Sequence, residues 1–119
     1  MKPEDLKERT KSFALRVIKL YIALPQSVEA QVLGKQILRS GTSVGAQYRE
    51  AQPAKSTADF ISKVEGALQE LDEPSYWLEL LEESGILAAE RLSPLRAEAE
   101  ELTKILVTIA KHTKQNRRG

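Results

Sequence analysis

One histidine, no cysteine and 17 carboxylates are the chain's whole supply of acid–base and metal-ligating groups. Without cysteine there is no disulfide framework and no thiolate metal site. Di-iron sites in helical bundles use Glu-x-x-His pairs. The single histidine is His112, and the residue three before it is Ile109. A serine–histidine–carboxylate triad would have to use that same His112, close to the chain's end. As a solvated residue near a helix C-terminus, it would complement the local partial negative charge. No Gly-x-x-x-x-Gly-Lys-Ser/Thr loop is present to cradle phosphates. Glu79-x-x-Glu82 and Glu98-x-x-Glu101 resemble the acidic pairs of helical Mg²⁺-dependent nucleotide hydrolases. Those enzymes need a further acidic motif downstream, and no acidic residue follows Glu101. The expectation is therefore no catalytic residue, no metal ligand and no cofactor. A Mg²⁺-dependent pyrophosphohydrolase is the weaker alternative.

The cations carry more information. Lys11, Arg16 and Lys19 fall in the first quarter of the chain. Lys35 and Arg39 are four apart, with Arg49 roughly in line. Lys104 and Lys111 are seven apart, with Lys114 and Arg117-Arg118 beyond. These nine, Lys11 to Lys114, form the candidate nucleic-acid-binding set. Phosphate contacts of this kind give affinity with little sequence information. No aromatic–basic interleaving suited to base stacking is visible, so binding would be sequence-tolerant. The formal net charge is only +1. It divides unevenly: residues 1–63 hold 11 Lys/Arg against 6 Asp/Glu, residues 64–101 hold 2 against 11, and residues 102–119 hold 5 against none. Such blocks can neutralise one another across neighbouring helices, pair between subunits, or present separate surfaces.

A third group is polar but uncharged in part. Ser40, Ser43, Gln47 and Glu50 are spaced 3, 4, 3 and share one helical stripe. Glu70, Glu73 and Trp77 share a side of the next helix, with Arg39 beside Ser40 and Arg49 beside Glu50. A network between the two helices would fix register and subunit packing, because an unpaired buried polar group costs roughly 1–3 kcal/mol.

Four helices must position these groups, at about 4–24, 27–52, 56–83 and 88–115, in one domain spanning 1–119. In the first, Leu6, Thr10, Phe13, Val17, Leu20 and Leu24 keep to one face. Leu15, Ile18 and Ile22 form a second apolar face nearly opposite, which predicts burial on two sides. In the second helix, Ala30, Leu33, Ile37, Val44 and Tyr48 make the core stripe. Gly34, Gly41 and Gly45 line up beside it and predict a close helix approach. In the third, the stripe is Phe60, Val64, Leu68, Leu71, Ser75 and Leu78. Pro74 interrupts it and predicts a kink, since proline removes one hydrogen bond and crowds the preceding turn. Ser84-Gly85 signals a C-terminal cap. The fourth helix starts either at Ala88 or with Ser93-Pro94 as N-cap and first residue. Its face is Leu95, Ala99, Leu102, Leu106, Ile109 and Thr113, and the tail Gln115–Gly119 is expected to fray. No strand pattern competes. The fold class is all-α, an antiparallel up-down-up-down four-helix bundle. No run of roughly 18 apolar residues exists to cross a membrane, and the acidic start lacks a signal peptide's apolar core; a cytoplasmic location is expected.

The order Leu33-Gly-Lys-Gln-Ile-Leu-Arg-Ser-Gly-Thr-Ser-Val-Gly-Ala-Gln-Tyr-Arg-Glu-Ala51, then Ser56-x-x-Asp-Phe60, then Gln69-Glu-Leu-Asp-Glu-Pro-Ser-Tyr-Trp-Leu-Glu-Leu-Leu81, is distinctive. It resembles the 23S (large-subunit) rRNA intervening-sequence proteins, a four-helix-bundle family similar to the accessory variability determinants of diversity-generating retroelements. Gln47 stands where asparagine is usual, and Pro74 where threonine or another helix-compatible residue is usual. The resemblance implies a ring-like homo-oligomer, with a pentamer favoured, and no catalytic activity. In the retroelement branch it implies binding to RNA or DNA and to a reverse transcriptase. The functional expectation is a non-enzymatic oligomeric accessory protein with a basic surface. The alternative is a homo-oligomer with no nucleic-acid role.

Overall fold

The computed structural model describes residues 3–118, with side chains described for 5–116. Four helices account for nearly all of it: α1 (Pro3–Ala23), α2 (Val28–Ala51), α3 (Thr57–Glu83) and α4 (Ala89–Arg118). Short links make consecutive helices antiparallel neighbours. The α2–α3 contact is the most extensive, followed by α1–α2 and α3–α4, and α4 closes loosely on α1. The diagonal pairs α1/α3 and α2/α4 do not approach each other closely. The result is a four-helix bundle about 52 Å long and 20 Å wide.

Local sequence sets the ends. Ser27 caps α2 by accepting a hydrogen bond from the Ala30 amide at 3.3 Å, satisfying a donor the helix cannot. Ser56 does the same for α3, accepting from the Asp59 amide at 3.1 Å, and the Asp59 carboxylate accepts from the Lys55 amide. At the end of α3, Gly85 adopts φ 78°, a conformation that side chains disfavour. The Ile86 amide then reaches Leu81 O and the Gly85 amide reaches Glu82 O, which together form a Schellman cap. At the α1–α2 turn, the Tyr21 hydroxyl donates to Gln31 Oε1, and Gln31 Nε2 donates to Pro25 O.

The core follows the helical stripes. Leu6, Phe13 and Val17 of α1, with Leu24 just after it, meet Ala30, Ile37, Val44 and Tyr48 of α2, Val64, Leu71 and Leu78 of α3, and Leu92, Ala99, Leu102 and Leu106 of α4. Thr10 is fully buried and donates to Lys7 O within its own helix. The glycines do mark the close α1–α2 approach. A Cβ on Gly41 would lie 2.8 Å from Val17 Cγ2, and one on Gly45 would lie 3.2 Å from Thr10 Oγ1.

One expectation needs correction. The buried face of α3 is rotated from the anticipated stripe: Ile61, Ala67, Pro74 and Leu81 are buried, whereas Phe60, Leu68 and Ser75 are only half-buried. The anticipated set ignored alanine and proline as core residues, although at the tight α2–α3 seam small side chains fit best. Pro74 lies within one continuous helix and is itself buried. The fourth helix starts at Ala89 and carries Pro94 inside it, and its backbone stays helical through Arg118; Gly119 lies outside the described residues.

Candidate nucleic-acid interface

Charge is distributed by element. α3 carries eight Asp/Glu against one Lys, and α1 carries five Lys/Arg against three Asp/Glu. The bundle places these two helices on a diagonal. One flank of the molecule is therefore rich in carboxylates and the opposite flank in cations.

Ion pairs between neighbouring helices consume part of this charge. Arg9 makes a two-pronged contact with Glu98, both bonds 2.8 Å, across the α1–α4 seam. The bond to Glu98 holds the Arg9 guanidinium above its ordinary pKa. Arg96 pairs with Glu82 at 2.9 Å, Lys114 with Glu65 at 3.0 Å and Lys63 with Glu50 at 3.3 Å. These are solvent-accessible pairs, each worth little alone. Two of them, Arg9–Glu98 and Lys114–Glu65, bring cations from the two ends of the chain to the acidic middle block.

The α2–α3 seam holds the most developed polar cluster. Arg39 Nη2 lies 2.7 Å from both oxygens of Glu73, and Nη1 lies 3.3 Å from Glu70. Trp77 Nε1 also donates to Glu73, at 3.2 Å. Hydrogen bonds from Arg39 first, and from Trp77 second, hold the Glu73 carboxyl below the usual carboxylate range. The Arg39 guanidinium is raised in turn, chiefly by its hydrogen bond to Glu73. Of the seven residues expected in a network, Glu70, Glu73 and Trp77 thus come together around Arg39. The others do not join them. Ser40 and Ser43 donate to Gln36 O and Arg39 O of their own helix. Glu50 pairs with Lys63 instead, and Gln47 packs against Gly66, where a Cβ would meet its Oε1 at 3.0 Å.

The nine candidate cations separate into distinct environments. Arg39 and Lys114 are engaged in the pairs above. Lys11 and Arg49 flank one shallow depression of about 310 Å³ between α1 and α2, floored by Thr10, Ala14 and Gly45. Arg16 and Lys19 line another of about 210 Å³ between α1 and α4, together with Arg91, Leu20 and Pro94. Arg91 was missed because in sequence it lies within the acidic block, where Arg96 is the one other cation. Only the antiparallel packing of α1 on α4 brings it to Arg16. Lys35 is exposed on α2, and Lys104 and Lys111 are exposed on α4. His112 is exposed as well. Among the described residues, no group of three or more His, Asp or Glu side chains is placed to hold a metal ion, and no helix is long and apolar enough to cross a membrane.

Apolar side chains also remain outside. Leu15, Ile18 and Ile22 of α1 are 51%, 36% and 74% exposed, and Val28, Val32 and Tyr76 exceed half. The first three are the second face read from the sequence of α1, and the bundle leaves it uncovered.

Comparison with known proteins fits this architecture. No curated protein sequence matches the chain. The bundle is similar to the crystal structure of a protein of unknown function from the S23 ribosomal protein family of Bacteroides thetaiotaomicron VPI-5482. The TM-score is 0.87 at 42% identity, covering 93% of this chain and 99% of that one. The family model described as 23S rRNA-intervening sequence protein matches residues 4–108, which reach from the start of α1 well into α4. Sequence and bundle therefore agree, and the chain belongs to the family of 23S rRNA-intervening sequence proteins.

Proposed function

We propose that this protein is a non-enzymatic, homo-oligomeric accessory protein that binds nucleic acid through the cationic flank of its bundle. The observation that supports the reading is the residue of charge left after intrachain pairing. The ion pairs draw on Arg9, Arg39, Lys63, Arg96 and Lys114. Lys11, Arg16, Lys19, Lys35, Arg49 and Arg91 are in none of these pairs among the described residues. Lys11, Arg16, Lys19, Lys35 and Arg49 lie on α1 and α2, and Lys104 and Lys111 of α4 are unpaired as well. Repeated around an oligomer, such a flank is multivalent, and affinity rises with each added site. A nucleic-acid enzyme such as a reverse transcriptase is a partner this reading allows.

Binding of labelled RNA and DNA by the assembled protein, titrated against salt, tests the reading. A shift that weakens steeply with salt is expected. No shift at low salt would leave the second reading, an assembly protein without a nucleic-acid role. That alternative draws on the exposed apolar faces. Leu15, Ile18 and Ile22 are exposed on α1, Val28 and Val32 on α2, and Tyr76 on α3. Apolar surface left uncovered on a bundle this small can be buried against a second copy. Light scattering tests assembly directly, and a protomer-sized mass at micromolar concentration would overturn it.

A further inference from the structure

Within this nucleic-acid reading, and resting on it, we infer that Arg16, Lys19 and Arg91 form the seat for backbone phosphates at the α1–α4 seam.

The seam has two halves of opposite character. Arg9 and Glu98 face each other across the first half and neutralise it. Antiparallel register then brings Arg16, two turns further along α1, to Arg91, two turns back along α4. No carboxylate answers them. Arg16, Lys19 and Arg91 line one concavity of about 210 Å³, floored by Leu20, Ala23 and Leu95. None of the three has an ion pair or a hydrogen-bonded side-chain acceptor among the described residues, unlike Arg9, Arg39 and Arg96 on the same bundle. This seam is also the least extensive helix contact, which is why a groove remains here. Arg91 lies in the first turn of α4 (Ala89–Arg118), where the unsatisfied amides add partial positive charge. Two arginines and a lysine lining one groove with an apolar floor suit a phosphodiester: the arginines supply forked donors and the lysine a mobile point charge. The apolar floor offers no hydrogen bonds to read a base edge, so the ligand class is a nucleic-acid backbone irrespective of sequence.

The test is fluorescence anisotropy of the full-length protein with labelled oligouridylate, oligothymidylate and a mixed-sequence duplex, as a function of salt. The Arg16→Gln/Lys19→Gln/Arg91→Gln variant is compared with a Lys55→Gln/Lys63→Gln control that removes two cations on the acidic α3 side, outside the candidate set. The triple variant is expected to lose at least about tenfold in affinity at low salt. Its slope of log K against log salt should flatten by about 2 for single strands, the share of three phosphate contacts. The control should retain binding. Lys19 and Arg91 are both exposed, so the double variant lacking only these two serves if the triple variant loses helicity. Equal affinity of wild type and triple variant would overturn the seat while leaving the functional reading intact. Absence of binding by the wild type would instead overturn the functional reading. Equal loss in the control would reduce the seat to general surface charge, which overturns it too.

Discussion

Glu73 is the residue on which the α2–α3 polar cluster turns. It accepts from Arg39 and from Trp77, and both donors favour its charged form. Its folded-state pKa is depressed, so its stabilisation is fully present above the ordinary carboxylate value and is lost as pH falls through the folded value. Glu73→Gln should therefore be less stable than the wild type at neutral pH. The difference should shrink below about pH 4.5, as read from urea denaturation at a series of pH values. An unchanged difference at low pH would mean that packing, not charge, dominates the site. Gly41 offers a second residue-scale test. Its added Cβ would lie 2.8 Å from Val17, a short, stiff, fully buried side chain. Gly41→Ala should destabilise by about 1–3 kcal/mol, outweighing the roughly 1 kcal/mol gained in helix propensity. Gly34→Ala meets Leu24 Cδ1 at 2.5 Å and the ring atom Cδ1 of Tyr21 at 2.8 Å. Leu24 is buried and the Tyr21 hydroxyl is held by Gln31, so a loss of similar size is expected in the same denaturation assay.

At the scale of the helix, Pro74 is the instructive case. The helical period of α3 was readable, and so was the lost hydrogen bond to Glu70. What one helix in isolation could not show is that the ring faces the core and fills it. Pro74→Ala would restore the missing donor, for roughly 3 kcal/mol. It would lose about 1.6 kcal/mol of buried methylene and up to about 1 kcal/mol through a freer unfolded chain. A small net stabilisation is expected; a lower melting temperature would show that the pyrrolidine's packing matters more than its backbone cost. The core of α4 gives the opposite expectation. Leu102 is fully buried, and Leu102→Ala should cost about 2–5 kcal/mol by the same measurement. The shift of the α3 face has a general reason as well. A stripe drawn from large apolar residues is biased towards the bulky side of a helix, while the tightest seams select alanine, glycine and proline.

For the whole molecule, the exposed faces determine what can be assembled. Trp77 is half-buried, packs on the core and donates to Glu73, whereas Tyr76 beside it is 56% exposed. Trp77→Ala is therefore expected to lower the melting temperature. Tyr76→Ser and Ile22→Glu are expected to reduce the mass measured by light scattering while leaving protomer helicity intact. If Trp77→Ala alone changed the mass, the assembly face would have to include the α2–α3 polar cluster.

The amino-acid sequence by itself determined the four helices, most of their ends and the absence of a histidine–carboxylate motif for metal or triad chemistry. Periodicity, caps and residue inventory are local properties, and each can be read within one or two turns of chain. It also contained the family's motif order between Leu33 and Leu81. Tertiary structure alone decided which charges cancel and which remain. Arg9 finds Glu98 and Lys114 finds Glu65 across distances in sequence that no helical period spans. Arg91, distant in the chain and within its acidic block, joins Arg16 and Lys19 at one groove. Electrostatic partnership depends on separation in space, and in an antiparallel bundle that separation is set by which helices are neighbours and by their register.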